Sequence, residues 1–317
     1  MHVLVTGATG FIGSRLVPVL SARGHHVTVL TRDADGYEGE ADAVYEGDVL
    51  EPGSFESALE GVDAAYYLIH SMGASDDFAE RDRRGAENFR DAASEAGIER
   101  VVYLSGLGDE DADLSPHLAS RREVERVLSE GSFDLTVLRA AVIIGEGNTS
   151  FELVSQLARR FPFLLTPDWV GVDCQPIAVD DVIAYLVGAL EVPETAAGVY
   201  GVGGPEVITY GGLLERTGLV AGRTPRIVPT PLMTPGVAAY LASLATSLPG
   251  DVVRPLVKGL ENEVVADDAA IREAVPVDLD DYGPAIRRAL DAGSDEPTKR
   301  DRVLSKLDRL PPKPSAD

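Results

Sequence analysis

The stretch Val3-Leu4-Val5-Thr6-Gly7-Ala8-Thr9-Gly10-Phe11-Ile12-Gly13 decides how this chain is read. Its apolar beginning has the character of a buried strand, and Phe11 to Arg23 reads as a helix with Ile12, Leu16, Val19 and Leu20 on one side, closed by Gly24. Three glycines in GxxGxxG spacing lie between them. In a strand–turn–helix unit the first permits the tight turn, the second lets backbone approach a pyrophosphate, and the third allows close helix packing. The free N–H groups of the helix start then face the phosphates. Gly7, Thr9, Gly10, Phe11, Ile12 and Gly13 are the expected phosphate cradle, and Pro18 is expected to bend the helix behind it.

Working outward, apolar runs alternate with amphipathic stretches, the pattern of βαβ units and a parallel sheet. Further strands are expected at Val27 to Leu30, Ala43 to Tyr45, Ala64 to Ile69, Val101 to Leu104 and Leu135 to Arg139. Helices are expected over Pro52 to Leu59, over about Asp76 to Ala96, and from the cap Ser115 with Pro116 in its first position. The fold class is therefore α/β, a Rossmann-type doubly wound parallel sheet. Residues 1–147 form the nucleotide-binding unit, and residues 148–290 form a smaller C-terminal lobe interleaved with the last sheet elements. Residues 291–317 form a polar tail with one short amphipathic helix, built on Val303, Leu304, Leu307 and Leu310, that docks on the body or on a partner.

Composition narrows the setting. With 44% hydrophobic and 25% charged residues, the chain is an ordinary globular one and not a disordered or collagen-like one. Fifty-two acids against 28 bases leave a net charge of −24, which repels nucleic-acid backbones. Only four of the bases are lysines, and the acids are spread along the chain, a pattern that fits a protein of a salty, halophilic cytosol. No run approaches the ~18 apolar residues of a membrane span, and no leader pattern opens the chain, so a cytoplasmic location is expected. The apolar segment Pro235 to Leu248 lacks the basic face of a surface-bound helix and is expected to serve as core or dimer contact. Cys174 is the only cysteine, and no HExxH or spaced Cys/His set points to a metal.

The glycine stretch resembles the TGxxGxxG fingerprint of the short-chain dehydrogenase/reductase superfamily, in its extended and atypical branches. Gly47-Asp48-Val49 matches the position whose acid contacts adenine, and Tyr67-Leu68-Ile69-His70 matches the segment passing the cofactor ribose. Leu104-Ser105-Gly106 matches the strand end that carries the catalytic hydroxyl. Gln175 to Val182, Gly201 to Pro205, and the wording Ser115-Pro116-His117-Leu118 and Thr166-Pro167-Asp168-Trp169-Val170 resemble NmrA-like and complex I accessory-subunit-like members that bind NAD(P)H.

The resemblance implies a cofactor held by the cradle together with Asp48, Val49, Leu68 and His70. It also implies a Tyr-x-x-x-Lys pair, where this chain has His117-Leu118-Ala119-Ser120-Arg121. The i, i+4 spacing keeps both side chains on one helix face. His117 is thus a candidate general acid near neutral pH, Arg121 a candidate ribose ligand, and Ser105 the candidate hydroxyl, the alternative being a helix that only supports the cofactor. Arg32, after the second strand, can pair with a 2′-phosphate, so NADP(H) is expected ahead of NAD(H), with Asp33 as the competing ribose ligand. The expected function is hydride transfer to or from a small carbonyl, alkene or quinone-like substrate. The alternative is a nucleotide-binding redox sensor or an accessory subunit of a respiratory complex. A homodimer or such a complex is the expected partner.

Overall fold

The computed structural model describes residues 1–71, 77–108, 115–161, 163–223, 225–230, 233–291 and 298–310. Seven strands make one sheet: β1 (His2–Thr6), β2 (His26–Thr31), β3 (Ala43–Glu46), β4 (Ala64–Tyr67), β5 (Arg100–Gly106), β6 (Asp134–Ala140) and β7 (Val199–Val202). Every neighbouring pair is parallel, in the order β7-β6-β5-β4-β1-β2-β3. The order reverses beside β1, which opens a crevice at the carboxyl ends of β1 and β4, the place where such sheets bind nucleotides.

Alternation along β1 sends Val3 and Val5 to one face and Leu4 to the other, and both faces are covered. On the first face lie α1 (Gly13–Ala22), α5 (Val179–Glu191) and α11 (Lys299–Leu307), which contribute Leu16, Leu20, Leu186, Val303 and Leu307 to one core. On the second face α2 (Phe78–Glu95) and α3 (Pro116–Ser129) bury Ala86, Phe89, Ala93, Val124 and Leu128. Asp76, the expected start of α2, lies outside the described residues. Pro18 sits inside α1. Ser115 caps α3 by accepting the Leu118 N–H, with Pro116 in the first turn. Asp180 and Asp181 stand in the first turn of α5, where the helix dipole favours acids.

Two expectations change. The helix expected from Pro52 shrinks to a 3₁₀ turn at Glu56–Leu59, because Gly53 adopts φ +92, outside helical geometry. The fourth strand stops at Tyr67, so Leu68, Ile69 and His70 leave the sheet and cross its carboxyl edge.

The remaining elements build the smaller lobe on a third cluster around Phe151, Cys174, Leu213 and Ile286. They include α4 (Thr149–Arg160), α6 (Tyr210–Val220), α7 (Pro235–Ala245), α8 (Gly250–Gly259) and α10 (Tyr282–Leu290), with a parallel strand pair, Phe163–Thr166 on Arg226–Pro229. The short α9 (Ala269–Ala274) packs beside β7 and adds Ile271 to the first core. Among the described residues, no helix is long and apolar enough to cross a membrane.

Candidate functional site

Between β1 and α1 the three glycines are sterically required in different ways. Gly7 has φ +68, and a Cβ there would lie 2.8 Å from the Leu68 carbonyl oxygen. A Cβ on Gly13 would lie 2.3 Å from the Gly7 oxygen, so the helix can start this close to the strand only with glycine. At Gly10 a Cβ would meet only the Gly7 oxygen, at 3.1 Å, and would otherwise project into open space. Among the described residues, α1 begins at Ile12 without a side-chain cap, as α2, α5, α8, α9 and α10 also do. The Ser14 and Arg15 N–H groups donate to the Gly10 and Ile12 carbonyl oxygens, each at 3.0 Å, which leaves the Gly13 N–H at the helix start for an anion. Thr9 and Gly10 are exposed at this end. These features fit a dinucleotide pyrophosphate.

The other expected cofactor residues sit along the same carboxyl edge in different environments. Arg32 is exposed just past β2, while Asp33 is engaged in its own loop, where Oδ1 accepts the Gly36 N–H at 3.0 Å. Asp48 Oδ1 accepts the Leu50 N–H at 2.9 Å. Val49 points inward and packs in the second core, so any role toward a ligand falls to its backbone. The Leu68 N–H donates to the Thr6 hydroxyl oxygen at 3.1 Å, which ties this crossing segment to β1. Phe11 lies under the Arg15 guanidinium, 4.4 Å from the ring centre, and lines a cavity.

That cavity, about 680 Å³, opens beyond the carboxyl ends of β5 and β6 and reaches into the smaller lobe. Ser105, His117 and Arg121, the three expected catalytic residues, share its wall. The rest of its lining is mostly apolar and includes Leu153, Leu157, Leu164, Leu241 and Leu256. Ser105 Oγ is buried and has no hydrogen-bond partner among the described residues. Arg121 Nη1 donates to the Leu104 carbonyl at 2.6 Å, which fixes the guanidinium beside the end of β5.

His117 does not stand alone. Its Nδ1 lies 3.1 Å from His70 Nε2, and His70 Nδ1 lies 2.8 Å from Asp82 Oδ2. Asp82 is buried on α2 and also accepts the Ser71 N–H at 2.8 Å and the Ser120 hydroxyl at 3.2 Å. Burial alone would raise the Asp82 pKa, but the hydrogen bonds from His70 and Ser71 outweigh it and hold the carboxyl below its usual value. An ionised Asp82 accepts from His70 Nδ1–H, so the lone pair of neutral His70 is on Nε2 and takes the proton of His117 Nδ1. The same reasoning leaves His117 Nε2 as the acceptor at the end of the chain.

Burial lowers the His70 pKa, with only partial relief from Asp82. Burial, then the Arg121 charge and His70, pushes His117 down to about 3. The candidate general-acid role of His117 near neutral pH therefore starts from an uncharged imidazole. His117 is neutral there because it is desolvated and sits beside a guanidinium. Asp82 and Ser120 are the members of the site that motif reading missed.

A family profile described as NAD(P)H-binding matches residues 7–162. The 3-diazoavenalumate denitrifying reductase of a Streptomyces species is 33% identical over 230 residues, covering 60% of this chain and 72% of that protein. A mitochondrial NADH dehydrogenase [ubiquinone] 1 alpha subcomplex subunit 9 of Arabidopsis thaliana is 26% identical over 270 residues, covering 81% of this chain and 67% of that protein. In fold, the chain is similar to a nucleoside-diphosphate-sugar epimerase of Staphylococcus aureus, with a TM-score of 0.74 at 16% identity over 90% of this chain and all of that one. Cradle, sheet order and these likenesses agree: the chain belongs to the NAD(P)H-binding family that the profile describes.

Proposed function

We propose that this protein is an NADP(H)-dependent oxidoreductase acting on an apolar carbonyl, alkene or quinone-like substrate held in the cavity of the smaller lobe. The observation that carries the reading is the chain Asp82–His70–His117, which ends in the cavity wall beside Ser105 and Arg121. Bound NADP(H) supplies or receives the hydride. The protein's own part is to hold the substrate oxygen and to move one proton.

In the neutral chain, His117 Nε2 accepts the proton of a substrate hydroxyl. His117 Nδ1 then passes its proton to His70 Nε2, and the resulting His70 cation is balanced by the Asp82 carboxylate. Run in reverse, the protonated chain protonates a carbonyl oxygen as it is reduced. Ser105 Oγ, otherwise unsatisfied among the described residues, donates to that oxygen, and Arg121 orients the nicotinamide ribose. His117 and Arg121 thus take over positions where the family carries Tyr and Lys.

The pH dependence follows in sign. Burial lowers both imidazole pKa values, so the proton-accepting form prevails above about 6.5, the free histidine value. Oxidation of an alcohol should rise with pH to a plateau below neutrality, and carbonyl reduction should fall over the same range. A screen of apolar quinones, enals and ketones for NADPH oxidation in molar KCl tests the function. With any substrate found, His117→Phe should cost ~10²-fold in kcat with little change in NADPH affinity. Asp82→Asn should lower kcat and move the limb to lower pH, because the His70 cation loses its counter-charge. An unchanged pH profile in both variants would remove the relay.

A second reading is favoured by one observation, the likeness to an NADH dehydrogenase subunit. In it the nucleotide is structural and the cavity receives part of a respiratory partner. A stable complex from native lysate, together with NADPH binding and no turnover across the screen, would favour that reading.

A further inference from the structure

Large apolar side chains are unevenly exposed on this molecule. Phe163, Leu165, Val228, Tyr240, Leu241 and Leu244 are between 39% and 66% exposed, and all belong to the smaller lobe. The strand register explains part of the cluster: Phe163 pairs with Arg226 and Leu165 with Val228, so these four share one face of the two-stranded sheet. Leu164 and Ile227 point the other way, into the lobe's core. Helix α7 buries Ala239 and Ala242 against α4 and α8 and turns Tyr240, Leu241 and Leu244 outward. Phe163, Leu165, Leu241 and Leu244 also line the cavity, so the exposed patch is its rim.

Charge singles out the same region. The chain carries −24, yet residues 206–263 hold as many basic residues, Arg216, Arg223, Arg226, Arg254 and Lys258, as acids, Glu206, Glu215, Asp251, Glu261 and Glu263, with Arg216 paired to Glu206. Arg226, Arg254 and Lys258 are exposed, and Arg160, exposed at the end of α4, donates to the Ala245 carbonyl at the end of α7. Helix α7 lacks a basic face of its own, but the fold supplies one from the strand pair, α4 and α8.

We propose that this rim docks on the surface of an anionic lipid bilayer. An apolar centre flanked by bases is the composition of a surface that seats at the headgroup boundary. Continuity of rim and cavity gives the docking a purpose: an apolar molecule can move from the acyl layer into the cavity without crossing water. That last point rests on the cavity being the substrate site, whereas the docking does not.

The test is co-sedimentation of the full chain with phosphatidylglycerol or phosphatidylcholine vesicles, in KCl that keeps the native circular dichroism. Val237 and Tyr240 are exposed on α7 and lie outside the cavity wall. The Val237→Asp/Tyr240→Asp variant should lose at least tenfold in bound fraction while binding NADPH normally by calorimetry. Arg226→Glu should abolish the preference for phosphatidylglycerol, and molar KCl should shrink that preference because charges are screened within ~3 Å. Absence of parent binding to either vesicle, or equal binding by the α7 variant, would overturn the proposal. So would a parent dimer, broken by the same variant, that ignores vesicles. Vesicle binding by a chain that does not bind NADPH would instead defeat the oxidoreductase reading and leave the docking standing.

Discussion

Asp82 signals its role by its place along the chain. It stands at i, i+4, i+7 and i+11 with Ala86, Phe89 and Ala93, so an acid occupies the apolar stripe of α2. A carboxylate there needs buried partners, and the stripe announces that need without naming them. His70 and His117 lie 12 and 35 positions away, so only folding brings the three together. Arg32 is the opposite case, legible from its place after β2 and left exposed by the fold. With Asp33 engaged by the Gly36 N–H, Arg32 is the polar group best placed in sequence to meet a phosphate on the expected ribose. Arg32→Ala should weaken NADPH binding about tenfold or more and leave NADH binding nearly unchanged, read by calorimetry. Equal losses for both nucleotides would remove Arg32 as the 2′-phosphate ligand.

At the scale of elements, helix α11 converts a polar tail into part of the body. Val303 and Leu307 enter the core beneath α1 and α5, and Lys306 Nζ lies 2.7 Å from Asp181 Oδ1 and 3.1 Å from Asp280 Oδ1. Arg302 Nε lies 2.8 Å from Asp180 Oδ2, so the acids that begin α5 are the docking site for the bases of α11. Burial works against the Lys306 ammonium, but Asp181 and Asp280 outweigh it and hold its pKa above the usual lysine value. Burial pushes Asp181 up to about 6 against the pull of Lys306. A raised carboxyl pKa means that folding favours the protonated form. Its contribution is complete below the unfolded value of about 3.9 and is lost as pH rises through about 6. Lys306→Ala should therefore cost ~3 kcal/mol at pH 8, where a buried carboxylate loses its partner, and clearly less at pH 5, where it can take up a proton. Denaturant melts at the two pH values measure this, and equal losses would show that Asp181 does not titrate. The amphipathic spacing of α11 was readable, but its pairing with the acids that begin α5 was not, since Asp180 and Asp181 lie more than 120 residues earlier.

Across the whole molecule, the net charge of −24 acts against compactness in dilute buffer. Many surface acids are opposed by arginines one helical turn away, as in Glu80–Arg83–Glu87 and Glu123–Arg126–Glu130, and such exposed pairs are worth little each. The excess acid is left to salt. Melting temperature should rise steadily from dilute to molar KCl, and a flat or falling curve would separate the acidity from any demand for salt.

The sheet and its cradle were determined by local sequence. A strand, a GxxGxxG turn and a helix are specified within about 25 residues, because backbone sterics and side-chain periodicity act over that range. The same range covers the pairing of His117 and Arg121 on one helix face, since i and i+4 are neighbours on any α-helix. Tertiary structure alone decided that His117 would be neutral, because its pKa depends on burial and on groups from α2, α3 and the segment after β4 meeting at one point. It also decided that the apolar α7, lacking bases of its own, would lie among those of α4, α8 and a distant strand pair. Charge and exposure are properties of neighbours in space, which no spacing along the chain records.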